Sequence, residues 1–222
     1  MSWSSWHRHW GSVYFDATPG WFQSNACIAH GRCRFYRLPC GARASGAGHG
    51  VTIVDEINTF YDPVLKRATL SQFGTRPRFR FVEVDIAEAG ALNSASNGQR
   101  YDIILHLAAQ AGVRYAVTNP SAYTRSNLIG HASVFEFARH HAGLKHLDYA
   151  SSSSVYGNDT APPFCEDSRP DGPVSFYGAT KRAGELLSHS YSEFYGLPQT
   201  GLRFLTVYGP GGAGQTWPLD VH

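Results

Sequence analysis

The sequence is poor in charged residues, in paired cysteines and in long apolar runs. Only 16% of its 222 residues are charged, and the formal net charge is +2. A balance so close to neutral predicts neither a nucleic-acid binder nor a protein of an anionic membrane surface. No apolar run approaches the roughly 20 residues that span a bilayer, and the Trp-, His- and Ser-rich N-terminus lacks the apolar core of a signal peptide. We therefore expect a cytoplasmic protein with no nucleic-acid and no membrane partner.

The four cysteines do not form a C-x-x-C pair, and they stand at Cys27, Cys33, Cys40 and Cys165. Zinc ligation by the first three together with a histidine such as His30 fits no familiar ligand spacing. The sequence therefore predicts reduced thiols and no metal site. Its length suits one domain or one and a half, and is sufficient to bury a sizeable core.

From Val51 onward, short apolar strands alternate with helices, which predicts an α/β fold with a doubly wound parallel sheet. The predicted strands span residues 51–55, 78–84, 101–109, 145–150 and 201–205. The predicted helices run from 62 to about 70, weakly through 88–100, from about 122 to 141, and from 177 to about 195.

Residues 1–47 have neither helical nor strand periodicity. The glycine-rich stretch from Gly41 to Gly50 does not spell G-x-G-x-x-G, and no convincing strand precedes it. We therefore predict an irregular segment over 1–47, and a domain that lacks the first strand and the glycine turn of a dinucleotide-binding fold.

Tyr177 and Lys181 are four residues apart on a predicted helix, so they share one face. A cation beside a phenol favours the phenolate, which suits the tyrosine to take a proton from a sugar hydroxyl while a nicotinamide takes the hydride. The serine run from Ser151 to Ser154 offers a hydroxyl to bridge tyrosine and substrate. Y-x-x-x-K alone is a weak signal, and the alternative is a surface helix with an exposed Tyr and Lys.

Three further features suit a dinucleotide site. Asp55 ends a β-branched strand, where a dinucleotide fold places an acid for the adenosine ribose; the alternative is a solvated Asp. Ala108 and Ala109 end the most apolar strand, where small residues let a cofactor approach, although a close-packed core strand would look similar. Asn127 lies inside a predicted helix that gains nothing from Asn, so its amide is either functional or at the surface.

Together these stretches resemble the extended short-chain dehydrogenase/reductase superfamily, the NAD-dependent epimerases and dehydratases, and are most similar to the UDP-glucuronate 4-epimerases. The resemblance covers about three quarters of the chain, residues 48–210. The strings that carry it are IVDEINTFYDPVLKRA (53–68), LHLAAQAGVRYAVTNPSAY (105–123), SNLIGH (126–131), YASSSSVYG (149–157), YGATKRAGE (177–185) and GLRFLTVYGP (201–210).

The resemblance implies a role for each matching residue. Tyr177 is the expected general base and acid, Lys181 its partner and a ligand of the nicotinamide ribose, and Ser152 the catalytic serine. Asp55 is expected to bind the adenosine ribose, and Asp85 with Ile86 the adenine. The cofactor-binding residues implied in full are Asp55, Asp85, Ile86, Leu107, Ala108, Ala109, Gln110, Asn127, Tyr177 and Lys181.

The implied activity is C4 epimerisation of a UDP-sugar, UDP-glucuronate to UDP-galacturonate. Oxidation at C4, rotation of the 4-keto intermediate and re-reduction need only tightly held NAD. The resemblance also implies a homodimer built through the helices near 122–141 and 177–195. Two alternatives remain: a fragment without catalysis, and a related epimerase or dehydratase with another sugar. Ser152, Ser153 and Ser154 argue against the dehydratases, which usually carry Thr-Asp-Glu there.

The sequence departs from the family at both ends. The T-G-x-x-G-F-I-G turn expected upstream of Val51 is absent, and the substrate domain expected after residue 210 is replaced by the tail 211–222. Codons for residues 30–43 can be chosen so that the next frame reads TGAAGFIGFHVAR, and a neighbouring frame over 212–218 can read WGRPDMA. We therefore predict that 1–47 and 211–222 contain frame-shifted sequence and that 48–210 is the NAD-binding domain.

Overall fold

The protein is built on one six-stranded parallel sheet, as seen in a computed structural model. The structure describes residues 25–29 (backbone only), 44–45, 48–60, 62–71, 73, 77–158, 163–168 and 170–205. The strands are β1 (Asn25–Ala29), β2 (Gly50–Asp55), β3 (Phe79–Glu83), β4 (Ile103–His106), β5 (His146–Ser152) and β6 (Gln199–Phe204). Their order in the sheet is β3-β2-β1-β4-β5-β6, and every neighbouring pair is parallel. The predicted α/β class with a doubly wound parallel sheet is confirmed, since this strand order is that of dinucleotide-binding folds.

The helices connect successive strands. They are α1 (Pro63–Ser71), α2 (Ala91–Ser96), α3 (Val113–Thr118), α4 (Pro120–Tyr123), α5 (Gly130–Arg139) and α6 (Phe176–Tyr195). A π-helical turn, Thr124–Ile129, joins α4 to α5, and a 3₁₀ turn, Ser153–Tyr156, follows β5. The single helix predicted over about 122–141 is therefore interrupted, and α3 was not predicted.

The prediction that the first strand is missing is wrong. β1 lies at the centre of the sheet, with Ala26 opposite Val51 of β2 on one side and opposite Ile103 of β4 on the other. The sequence Asn-Ala-Cys-Ile-Ala has a single β-branched residue, so its own pattern is weak. The neighbouring parallel strands β2 and β4 supply the hydrogen bonds of β1, so its strand conformation depends on the sheet and cannot be read from the segment alone. The residues expected to hold the glycine turn, 30–43, lie outside the described residues, as do 211–222.

The core forms around strands that are buried on both faces, as is typical of parallel strands that helices cover on both sides. Every residue of β2 is buried. The larger core cluster packs α2 and α5 against the sheet, and its most deeply buried large side chains include Ile104, Phe135 and Leu147. Full burial of each such side chain stabilises the fold by about 1.5–3 kcal/mol.

Local capping determines where α6 begins. The Ser175 hydroxyl accepts a hydrogen bond of 2.9 Å from the Gly178 amide, which satisfies one of the unpaired donors of the first turn. A Cβ on Gly178 would lie 2.5 Å from the Ser154 carbonyl oxygen, so only glycine allows this approach. The first turn of α6 therefore lies directly against the segment that follows β5.

Candidate active site at the carboxyl ends of the strands

Tyr177 and Lys181 lie on one face of α6, as their spacing predicts. The Lys181 Nζ is 5.9 Å from the centroid of the Tyr177 ring and donates a 2.9 Å hydrogen bond to the Ala150 carbonyl oxygen of β5. Lys181 is buried, whereas Tyr177 is half-buried and packs its ring edge-on to Tyr123. Tyr177 is therefore partly exposed, whereas Lys181, one turn further along α6, is buried against β5.

Ser152 is placed at the end of β5, next to the first turn of α6. Its Oγ accepts a 3.2 Å hydrogen bond from the Ser154 amide and donates one of 3.2 Å to the Ser154 hydroxyl. Since Gly178 contacts the Ser154 backbone and Lys181 binds Ala150, the serine segment and the Tyr–Lys face are brought together. The predicted catalytic residues thus share one region of the molecule, and their catalytic roles stay predictions.

Asn127 connects the loop after β4 to α6. Its Nδ2 donates to the Gln110 carbonyl oxygen at 3.1 Å and to the Thr180 hydroxyl at 3.0 Å, and its Oδ1 accepts from the Gln110 amide at 2.7 Å. Thr180 in turn donates to the Tyr177 carbonyl oxygen at 2.8 Å. The buried amide therefore orders both the loop and the first turn of α6, a role that the sequence did not predict. It stands in the π-helical turn, a feature often found at functional sites.

The residues after β4 form a small-residue loop at the carboxyl edge of the sheet. Leu107 and Ala108 are buried, Ala109 is half-buried, and Gln110 is completely buried. The predicted strand over 101–109 is therefore shorter, because residues 107–109 leave the sheet. Gln110 Oε1 has no hydrogen-bond partner among the described residues. A buried amide oxygen of this kind fits a ligand that donates to it, which suits the predicted dinucleotide site.

Asp55 ends β2 at the same edge of the sheet. Its Oδ1 accepts a 2.7 Å hydrogen bond from the Ile57 amide and lies 3.9 Å from the Lys66 Nζ, and both charged side chains are buried. Lys66 also donates to the backbone and the side chain of Asn58, at 3.0 and 3.1 Å. The end of the second strand is where a dinucleotide-binding fold places the acid that binds the ribose hydroxyls, so this role of Asp55 stays a prediction.

Asp85 and Ile86 follow β3. Asp85 accepts from the Ala87 amide at 2.8 Å and from the Arg125 Nε at 2.7 Å, while Arg125 also contacts Glu88. These hydrogen bonds raise the pKa of Arg125, that from Asp85 most strongly. Ile86 is buried against Gly130. Asp55 and Asp85 therefore lie at the ends of the adjacent strands β2 and β3, where the ribose and adenine were expected.

Sequence reasoning missed two buried histidines behind the site. The rings of His106 and His131 are 5.0 Å apart, and His131 Nε2 lies 3.0 Å from the Ser188 hydroxyl. Burial, and then the charge of Lys181, lowers the pKa of His131 from 6.5 to about 3. Burial also holds the pKa of His106 well below its ordinary value. Both rings are neutral at pH 7, so they add no charge near Lys181. Only their position in an apolar strand and helix could have indicated burial.

The described part of the chain contains no group of three or more His, Cys, Asp or Glu side chains able to hold a metal ion. The zinc alternative involved Cys27, Cys33, Cys40 and His30, whose side chains lie outside that part. Among the described helices, none combines the length and apolarity needed to cross a bilayer.

The arrangement can transfer a proton. A half-buried phenol, a buried ammonium and a serine hydroxyl meet where the parallel strands end, the usual position of ligand sites in such sheets. In general, an ammonium beside a phenol favours the phenolate, and a hydroxyl can donate to an oxygen that gains charge. That Tyr177, Lys181 and Ser152 act in this way stays a prediction.

Comparisons with known proteins place the chain among the epimerases. The model of the NAD dependent epimerase/dehydratase family matches residues 42–219. UDP-glucuronate 4-epimerase 3 of Arabidopsis thaliana is 44% identical over 185 residues, which make up 83% of this chain and 43% of that protein. Protein CapI of Staphylococcus aureus is 44% identical over 165 residues, 74% of this chain and 49% of that protein. The chain thus spans about half the length of the curated relatives it matches.

Solved structures agree. UDP-glucuronic acid 4-epimerase from Bacillus cereus, in complex with UDP-glucuronic acid and NAD, superposes with a TM-score of 0.75 at 28% identity, over 84% of this chain and 58% of that chain. UDP-glucose 4-epimerase from Thermotoga maritima, with UDP-glucose, gives a TM-score of 0.73 at 27% identity, over 84% and 57% of the two chains.

Proposed function

Because this chain belongs to the NAD-dependent epimerase/dehydratase family, we propose that it is a nucleotide-sugar 4-epimerase that converts UDP-glucuronate to UDP-galacturonate. The observation that carries the proposal is the placement of Tyr177, Lys181 and Ser152 together at the carboxyl edge of the sheet. The UDP-glucuronate 4-epimerases among its relatives support the choice of sugar.

In the proposed reaction, Tyr177 takes the proton from the sugar 4-hydroxyl and later returns it. Lys181, fixed by the Ala150 carbonyl oxygen, favours the phenolate that makes this possible. Ser152 donates a hydrogen bond to the reacting oxygen, which stabilises charge there. When bound, NAD supplies reversible acceptance of the C4 hydrogen with its electron pair. Epimerisation follows if the 4-keto sugar turns over before it is reduced on its other face.

We propose that the cofactor lies along the carboxyl edge of the sheet, with its adenosine end beside β2 and β3 and its nicotinamide end beside the loop after β4 and α6. Asp55 binds the adenosine ribose and Asp85 with Ile86 the adenine. The loop from Leu107 to Gln110 faces the pyrophosphate and nicotinamide, and Lys181 binds the nicotinamide ribose. Asn127 stands beside this path as the brace between that loop and α6. The unpartnered Gln110 Oε1 fits this arrangement, because a bound donor would satisfy it.

The test is an assay of the purified protein with NAD and UDP-glucuronate, with the product identified by proton NMR. Formation of UDP-galacturonate that is lost in Tyr177→Phe supports the proposal. A parallel panel of UDP-glucose and UDP-N-acetylglucosamine decides the sugar. Tight NAD binding without turnover of any of these sugars would contradict the proposed reaction.

We propose a cytoplasmic homodimer formed through α5 and α6. The support for the dimer is a set of exposed apolar side chains on α6 and on the turn before α5, which a partner could cover: Ile129, Leu186, Phe194 and Tyr195. Light scattering during gel filtration measures the mass directly, and a monomer at micromolar concentration would contradict the proposal.

The domain boundaries 1–47, 48–210 and 211–222, with frame-shifted sequence in the two outer segments, remain a proposal. Its support is that the alternative frame over residues 30–43 begins directly after β1, where the family's glycine turn is expected. The family match, however, extends into the tail, to residue 219. Resequencing the gene over codons 25–50 and 205–222 decides this, since codons that cannot encode the two motifs exclude it.

A further inference from the structure

Glu185 lies one turn after Lys181 on α6, so Tyr177, Lys181 and Glu185 follow one another along a single helix face. The Glu185 side chain is only 10% exposed. Its carboxylate accepts four hydrogen bonds from three residues. Oε1 accepts from the Ser151 hydroxyl at 2.6 Å and the Arg203 Nε at 2.8 Å, and Oε2 from the Arg203 Nη2 and the Arg182 Nη1, both at 3.0 Å. All acceptor sites of the carboxylate are therefore in use.

The first of these bonds reaches the predicted catalytic serine through its neighbour. Ser151 directly precedes Ser152, and the residue before it, Ala150, accepts the hydrogen bond from Lys181. Two consecutive residues at the end of β5 are thus attached to two consecutive turns of α6. The end of the strand cannot shift relative to Tyr177 without breaking one of these contacts.

Arg203 extends the attachment to the other side of Ser152. It stands opposite Ser151 in the register of β5 and β6, and it binds Glu185 bidentately. Its guanidinium also lies 4.9 Å from the centroid of the Tyr156 ring, in the 3₁₀ turn after Ser152. Glu185 therefore contacts the segment before the serine directly and the segment after it through Arg203.

The carboxylate is charged at neutral pH. Burial alone would raise the pKa of Glu185, but the hydrogen bonds from Arg203 and Ser151 outweigh it, and the pKa lies below its ordinary value. A charged, bidentate pair is stronger and more directional than a neutral hydrogen bond. A neutral amide at position 185 would have to present its NH2 group to donors in either orientation, to Ser151 and the Arg203 Nε or to the Arg203 Nη2 and Arg182 Nη1.

We propose that Glu185 is a positioning residue, which fixes the Ser151–Tyr156 segment so that Ser152 is aimed at the oxygen that Tyr177 deprotonates. The expected effect on kcat rests on the proposed function, whereas the hydrogen bonds of Glu185 do not depend on it. A misplacement of about 1 Å in such a group can cost on the order of a hundredfold in rate.

The experiment compares Glu185→Gln, Glu185→Asp and Ser151→Ala with the parent protein. Glu193→Gln is the matched control, because Glu193 is an exposed residue of the same helix. Two kinds of measurement are made: steady-state kinetics, which give kcat and KM for the UDP-sugar at saturating NAD, and amide hydrogen exchange over residues 151–156 by mass spectrometry.

We expect Glu185→Gln to lower kcat by about 10- to 100-fold with KM changed by less than about threefold, because the serine acts on the reacting oxygen. We expect exchange over 151–156 to quicken by about tenfold or more, with no change in α2. Glu185→Asp, which keeps the charge, should recover part of kcat, and Ser151→Ala should show a smaller loss. Glu193→Gln should match the parent.

The proposal is overturned if Glu185→Gln behaves like Glu193→Gln, or if exchange quickens equally throughout the protein, which indicates a general loss of stability. If the parent protein turns over none of the three UDP-sugars, the proposed function is contradicted, but the positioning of the 151–156 segment by Glu185 can still be tested. Hydrogen exchange then decides alone: local quickening over 151–156 in Glu185→Gln supports positioning, and its absence contradicts it.

Discussion

The two halves of the sheet end in different chemistry. β2 ends in the carboxylate of Asp55, and Asp85 follows β3 by two residues. Each carboxylate accepts a hydrogen bond from a nearby backbone amide and pairs with a cation, Lys66 or Arg125. β5, in the other half, ends in Ser151 and Ser152, and the carbonyl oxygen of the preceding Ala150 accepts a hydrogen bond from the buried Lys181 of α6. Carboxylates accept hydrogen bonds from ribose hydroxyls, whereas a hydroxyl beside a cation can move protons. We therefore expect the first half to act mainly in cofactor binding and the second to carry the proton transfer.

The largest effect is expected from Tyr177→Phe, which acts in the second half and removes only the phenolic hydroxyl of Tyr177. Without the group that moves the proton, kcat should fall by about a thousandfold or more, while NAD affinity stays unchanged. Steady-state kinetics and calorimetric titration with NAD measure the two quantities. Retained turnover would place the proton transfer elsewhere and break the comparison.

Lys181→Met should reduce kcat by about a hundredfold or more at pH 7, because no ammonium then favours the phenolate. Since higher pH can replace part of that effect, the acid limb of the pH–rate profile should move to higher pH. The profile from pH 6 to 10 measures this. A uniform loss at every pH would indicate that the lysine serves the structure alone.

Asp55→Asn tests the first half, and it should act on binding instead of rate. We expect NAD affinity to fall by about tenfold, the value of one charge-assisted hydrogen bond. At saturating NAD, kcat should remain near that of the parent. Calorimetry gives the dissociation constant, and a Glu56→Gln protein serves as the neighbouring control. A large fall in kcat with intact affinity would contradict the division between the halves.

His131→Gln tests the half of the molecule that contains Lys181, through the pH dependence of the free energy of unfolding. The unfolded chain protonates this histidine near pH 6.5, whereas the folded protein resists protonation down to about pH 3. Its contribution to stability is therefore present above pH 6.5 and is lost as the pH falls toward 3. Between pH 7 and 5 the parent should lose about 2 kcal/mol more than the variant. Urea unfolding measures it, with His189→Gln, an exposed site, as the control; equal losses would show that His131 is not buried neutral.

The smallest effect is expected from Arg125→Gln. Arg125 is about half-exposed and pairs with Asp85 and Glu88. Exposed ion pairs contribute little, so NAD affinity should weaken by only a factor of about two to five. The weakening should shrink further in salt near 0.5 M, where screening is strong. A salt-independent loss as large as that of Asp55→Asn would show that Arg125 contacts the cofactor itself.

Much of the fold was predictable because its signals are local. β2, α1, β3 and α6 lie within one or two residues of their predicted bounds. A β-branched run, a proline at a first turn and a serine cap each act over a few residues. β1 was missed because its strand character depends on two neighbours far away in the sequence, and the π-helical turn because periodicity does not reveal one extra residue per turn.

The candidate site was predictable to the same extent and for the same reason. The four-residue spacing places Tyr177 and Lys181 on one face wherever the helix lies. Continuing that spacing to Glu185 would have identified the third residue of the face. Its partners Ser151 and Arg203 could not be found in this way, since 34 and 18 residues separate them from it.

By itself, the sequence determined the alternation of strands and helices, the acids at the strand ends and the Tyr–Lys face, because each follows from backbone geometry over a few residues. Only the tertiary structure decided that β1 lies at the centre of the sheet, that Asn127 binds both Gln110 and Thr180, the latter 53 residues away, and that Glu185 binds the serine segment. Such contacts depend on which strands become neighbours and in which register. That outcome is set by the burial of the whole core, and no single segment encodes it.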